Sequence, residues 1–306
     1  MAEAPEAEAH DPAYTPDRAR ERAARYASKL ATTTDWPAIS QAATALDVDA
    51  LRRDLAAGVG VDTLVMGPEF ESPTTGGRTP LQLACEATNE LIVYRRGGTE
   101  EAFLGWAASS PSRRREIDEG IHADRVACVA LLLEHGASPN PGGVHSPPLI
   151  LTCSGYDPRN EKQECRECSC SLPIVNMLLA AGGDADARHR DGNYTFSPLL
   201  RCVIRTGWDN NDDVADALLK AGASANSPEF GGKTLMEWAI QRRHRRLWPV
   251  LLRGGAILSD VCACACVRSL SCGTSRSKWA RGLRSRPPLS ASALGLRSRP
   301  PLSACA

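Results

Sequence analysis

Of the chain's 306 residues, 42% are apolar, 5% are aromatic, and acids and bases balance in number. No apolar run approaches the roughly 18 residues that a membrane-spanning helix requires, and the acidic, alanine-rich stretch from Met1 to Asp11 argues against a secretory or mitochondrial address. The charge is unevenly spread: from Lys233 onward, 14 bases face only Glu237 and Asp260, so the first 232 residues carry the compensating acid.

Residues 1–14 read as a disordered acidic segment. Thr15-Pro16-Asp17 then opens a helix expected to run to about Leu30, within a capping element at 15–33. Ala19, Ala23, Tyr26 and Leu30 fall on one seam of that helix. The seam is expected to cover the first of a series of units that return along the chain.

Each unit begins with a helix start and ends with a second helix and a glycine. Thr79-Pro80-Leu81-Gln82-Leu83-Ala84-Cys85 is the clearest start. A threonine hydroxyl accepts from an exposed backbone N–H, and proline at the first helical position loses no bond. Ser197-Pro198-Leu199 repeats it. The ends are Val48 to Leu55 before Gly58, Leu131 to Leu133 before Gly136, Ile174 to Leu179 before Gly182, Val214 to Leu219 before Gly222, and Leu247 to Leu252 before Gly255. Glycine suits a helix end that turns left-handed.

These residues resemble the ankyrin-repeat family, carried by Thr79-Pro80-Leu81, Ser197-Pro198-Leu199, the pairs Gly136-Ala137, Gly222-Ala223 and Gly255-Ala256, and the turn residues Asn140, Asp186 and Asn226. The resemblance implies an all-α helical solenoid over residues 34–258. The closing glycines lie 78, 46, 40 and 33 residues apart, and only the last interval equals the family period of about 33. The others imply insertions, assigned to 89–121 and 155–171. Five units are expected. Phe103 to Ala108 faintly copies a first helix, which leaves six as the alternative. The first and last units lack the Thr-Pro-Leu start, as terminal units do.

In the family, the turns before each first helix and its exposed residues form a concave binding face. On this chain that implies Arg78, Gln82, Ser146, Asn193, Tyr194, Phe196, Lys233 and Glu237. Each is a partner-binding candidate or simply a solvated position. Tyr194 and Phe196 lead, because exposed aromatics anchor interfaces.

Other chemistry is sparse. Cys165, Cys168 and Cys170 have thiolate spacing for zinc, but no fourth ligand is evident and reduced loop thiols are the ordinary reading. Cys85, Cys128, Cys153 and Cys202 sit at small or apolar helix positions, which suits buried thiols in a reducing compartment. Arg242, Arg243, Arg245 and Arg246 form a basic turn suited to nuclear import or phosphate contact, or merely to hydration. No phosphate loop, dinucleotide fingerprint or hydrolase elbow occurs, so neither an enzyme nor a cofactor is expected.

Residues 259–306 are basic and of low complexity. Gly282 to Ala293 and Gly295 to Ala306 are twelve-residue copies differing only at Ser292 and Cys305, and such a tail is expected to be disordered. The expected function is an intracellular scaffold or adaptor, cytoplasmic with nuclear entry open, that binds an unidentified protein partner. The alternative is a nuclear or nucleic-acid-associated factor using the basic C-terminal region.

Overall fold

The computed structural model describes residues 15–31, 33–65, 77–87, 89–142, 145–154, 171–191, 194–204, 211–226 and 233–257. Among these, helices dominate, and none is long and apolar enough to cross a membrane. All described residues fall in one compact unit.

Five helix pairs stack in sequence order. The inner row is α2 (Ala38–Ala45), α4 (Pro80–Glu86), α8 (Pro148–Ser154), α10 (Pro198–Ile204) and α12 (Leu235–Gln241), each packed on the next. The outer row is α3 (Val48–Ala56), α7 (Pro111–Glu134), α9 (Leu172–Ala180), α11 (Asn211–Lys220) and α13 (Leu247–Arg253), again consecutive. Rungs join α2 to α3, α4 to α7, α8 to α9, α10 to α11 and α12 to α13. Leucines, isoleucines and alanines fill the space between rows, with Ala43, Leu81, Ala84, Ile150, Leu199 and Ala239 all buried. Small residues let short helices approach closely, and the aliphatic ones supply the apolar area that stabilises them.

The ends of these helices are specified locally. Thr79 and Thr234 each form a reciprocal capping box with the residue three positions on, Gln82 and Glu237. Asp47, Ser110 and Ser171 cap α3, α7 and α9 through single side-chain acceptors. After α7, Gly136 adopts φ 85° and Ala137 N–H donates to the Leu132 carbonyl at 3.0 Å. After α11, Gly222 at φ 101° does the same work, with Ala223 N–H donating to Leu218 at 3.0 Å. An L side chain is strained there, which is why glycine recurs.

Side chains in the turns then lace each pair to its successor. Asp62 accepts from the Ser138 amide at 3.2 Å. Asn140 donates to the Gly182 carbonyl and accepts from the Asp184 amide, both at 2.8 Å. Asp186 accepts from the Ser224 amide at 3.1 Å. Asn226 donates to Gly255 and accepts from Ile257, both at 2.8 Å. An Asn or Asp in a turn can satisfy backbone groups that no helix reaches.

Three expectations change. First, the fold is not purely helical: β1 (His189–Asp191) and β2 (Tyr194–Phe196) pair antiparallel ahead of α10, and Val65 bridges Arg78 ahead of α4. Second, Phe103 to Ala108 belongs with α6 (Glu100–Ala107), which enters neither row. It packs with α5 (Asn89–Gly97) and α1 (Pro16–Ala31), so the described residues hold five rungs. Third, α1 does not chiefly cover the first pair. Its seam lies on α5 and α6, where Tyr94, Phe103 and Trp106 offer an aromatic surface to cover.

Candidate interaction surface

The residues expected on the concave face divide into those the fold uses and those it leaves outward. Gln82 is 2% exposed. Its Oε1 accepts from the Thr79 amide at 2.9 Å, and its Nε2 donates to the Ser146 carbonyl at 3.1 Å. It is therefore a strut between the second and third pairs. Glu237 closes its capping box by accepting from the Thr234 amide at 2.9 Å. Gln82 is a correction: an amide three residues after a capping threonine is drawn back to the helix start, and Glu237 is drawn back likewise but stays half-buried.

Phe196 is also corrected. It is 9% exposed, and the Arg201 guanidinium lies 3.7 Å from its ring centroid. The ring is thus taken up by the packing ahead of α10 rather than offered to a partner. Tyr194 is the backbone partner of Asp191 in the ribbon. Its side chain, like the whole of Asn193, lies outside the described residues.

Three further candidates are at least partly outward. Arg78 is half-buried and ion-paired with Glu86. Ser146 is half-buried, with its carbonyl held by Gln82. Lys233 is exposed; its Nζ donates to Gln241 at 2.8 Å and stands 4.9 Å from the Trp238 ring centroid.

The basic turn lies beside Lys233. Arg242, Arg243, Arg245 and Arg246 are all exposed, and Arg243 holds φ 60°, a left-handed conformation uncommon for a side chain of its size. Arg242 lies 5.9 Å from Trp238. Trp238 is only 8% exposed, so it presents no free face on which a base could stack.

The described cysteines are poor nucleophiles. Burial pushes the Cys85 thiol up to about 11, against smaller opposing effects of Thr152 and Arg125. Burial, helped by Asp124, pushes Cys128 up to about 12. A buried thiol stays protonated and inert. Cys165, Cys168 and Cys170 lie outside the described residues. The Ser171 hydroxyl meets an imidazole, Oγ to His122 Nε2 at 3.3 Å, but that oxygen caps α9 by accepting from Ile174 and is buried.

A polar cluster escaped the sequence reading. Where α5 meets α1, Glu90 is ion-paired with Arg22 and accepts from the Tyr26 hydroxyl at 2.6 Å. Where it meets α7, Asn89 donates to Asp118 at 3.1 Å and accepts from Arg125 at 3.0 Å. Burial raises the Asp118 carboxyl to about 6, opposed by the Asn89 hydrogen bond and Arg114 and assisted by Glu90. Arg96 reaches from α5 to the Leu46 carbonyl at 3.0 Å and to Asp124 at 2.8 Å. The only sequence signal was the i,i+4 placement of Arg22 and Tyr26 on one helix face.

No family model matches the chain. Over 87 residues, 28% of its length, it is 29% identical to Inversin of Gallus gallus, and the match takes in 8% of that protein. The match thus spans a small part of Inversin's length.

Proposed function

We propose that this chain is an ankyrin-type array that serves as a protein–protein interaction scaffold inside the cell, without catalysis of its own. The observation that carries the reading is the repeated junction: each outer helix from α3 to α11 closes on a turn whose Asp or Asn side chain grips the next pair. Such a stack presents a row of turns to a partner rather than a chemical centre. The likeness to Inversin, an ankyrin-repeat protein, supports the same reading. The face to which it points runs through Arg78, Ser146 and Lys233, with Gln82 buried behind it, and Tyr194 stands as a candidate by sequence.

A second reading rests on the basic turn. Four exposed arginines beside Lys233 suit an anionic polymer, and the chain would then be a nuclear or nucleic-acid-associated factor. The lack of an open aromatic face at Trp238 favours the first reading.

The test is capture with the full chain, comparing wild type with a Tyr194→Ala/Lys233→Glu variant and with Arg242, Arg243, Arg245 and Arg246 all changed to Ala. A protein held by wild type and lost by the first variant, at unchanged circular dichroism, supports the scaffold. Retention of nucleic acid that vanishes with the arginine variant and with salt overturns it.

A further inference from the structure

Helix α1 stands apart from the ladder of pairs. Its packing is on α5 and α6, elements that themselves lie outside both rows. One stripe makes the contact: Ala19 and Ala23 are buried, and Tyr26 and Leu30 are partly covered. The other face is wet, carrying the exposed pairs Arg20 with Asp17 and Arg25 with Glu21. Such a helix can leave without unstacking any rung.

The surface it would leave is not neutral. Phe103 lies 5.7 Å from Tyr26, 6.0 Å from Tyr94 and 5.5 Å from Trp106 between ring centroids, and is wholly buried. Beside this aromatic floor sits Glu90, whose side chain is 10% exposed and whose charge is met by Arg22 and the Tyr26 hydroxyl. Without α1, the aromatic surface meets water and a largely desolvated carboxylate loses its cation. Removing one partner of a buried pair is far costlier than exchanging it for an equivalent. The groove therefore selects a helix with small residues for the floor, an arginine for Glu90, and a tyrosine one turn later.

We propose that the groove between α5 and α6 is a helix-docking site open to the α1 of a second copy of this chain. Every copy carries a helix whose fit is already displayed in cis. Only residues 32–37 join α1 to α2, and a short connection favours reciprocal exchange once the hinge opens. Two copies that trade α1 bury the same floor and form the same ion pair, so the contacts themselves are conserved.

A charge-exchange experiment in the full chain tests this. Arg22→Glu sets two carboxylates against each other, and Glu90→Arg sets two guanidinium groups against each other. Each variant alone is expected at single-chain mass by light scattering, with rapid amide exchange over residues 16–31. When the two are mixed, opposite charges meet only between chains, so the mass should double and that exchange should slow. A mixture that stays at single-chain mass, or a dimer formed by either variant alone, overturns the proposal. Should a variant lose its helical circular dichroism, the wild-type chain decides. Nitrogen-15-labelled and unlabelled wild type, mixed at high concentration, should give dimers of intermediate mass by native mass spectrometry, and single chains throughout would equally overturn it.

Discussion

Asn140 holds the backbone of the third pair in two places, donating to Gly182 and accepting from Asp184 at 2.8 Å each. Neither bond belongs to a helix or to the ribbon. They fix how far one turn is displaced from the next, the quantity on which a regular stack depends. Asn140→Ala should lose both bonds and cost about 1–2 kcal/mol. Urea unfolding checks this, and an unchanged midpoint would show that neighbouring contacts hold the register alone.

Arg96 ties the first pair to the segment between α4 and α7. Its Nε donates to the Ala45 carbonyl at 3.3 Å, and its Nη2 donates to Leu46 and pairs with Asp124. The cation sits where α2 leaves its last carbonyls unsatisfied, beside Leu46 at φ 54°. Arg96→Ala is expected to destabilise by roughly 1–2 kcal/mol, and Arg96→Lys should recover only part, since an ammonium cannot fork between the carbonyls and the carboxylate. Melting of the three proteins side by side tests it; equal stability of the Ala and Lys variants contradicts the forked contact.

Asp118 should make the chain less stable as pH rises. Its folded value, about 6, stands above its ordinary 3.8, so between these two the folded state binds more protons than the unfolded one. Stability from this group is full below about 4 and is lost as pH climbs through about 6. Solvent reaches part of the carboxylate, which limits the effect to on the order of 1 kcal/mol. Asp118→Asn keeps an acceptor for Asn89 and should flatten this slope. Melting temperature against pH, wild type against variant, is the measurement, and parallel curves would count against the assignment.

Phe196→Ala is expected to act on stability before it acts on any partner. The ring is buried beneath Arg201 and packs ahead of α10. Truncating a buried phenylalanine costs roughly 3 kcal/mol or more. A variant as stable as wild type would return Phe196 to the surface and to candidacy as an anchor.

Much of the stack was readable because its punctuation is chemical. Gly136, Gly182, Gly222 and Gly255 mark where outer helices end, and Thr79 and Ser197 mark where inner ones begin. The seam Ala19, Ala23, Tyr26, Leu30 was readable as apolar, but a seam states only that something covers it. Its partner Glu90 is 68 residues from Arg22, and no local pattern encodes that distance. The burial of Gln82 was legible, since Thr followed three places later by Gln signals a cap. Phe196 was not legible, because a three-residue strand is too short for alternation to declare its inner face.

Helix α7 runs unbroken for 24 residues, from Pro111 beside α6 to Glu134 in the outer row. At 1.5 Å per residue it is a rod about 36 Å long. Its first turns belong to the inserted segment and its last to the repeat. The insertion is thus not a flap on a hinge: tilting it means levering a hydrogen-bonded beam whose far end is clamped between α3 and α9. A load applied at Pro111 arrives at Leu132 as torque on the stack.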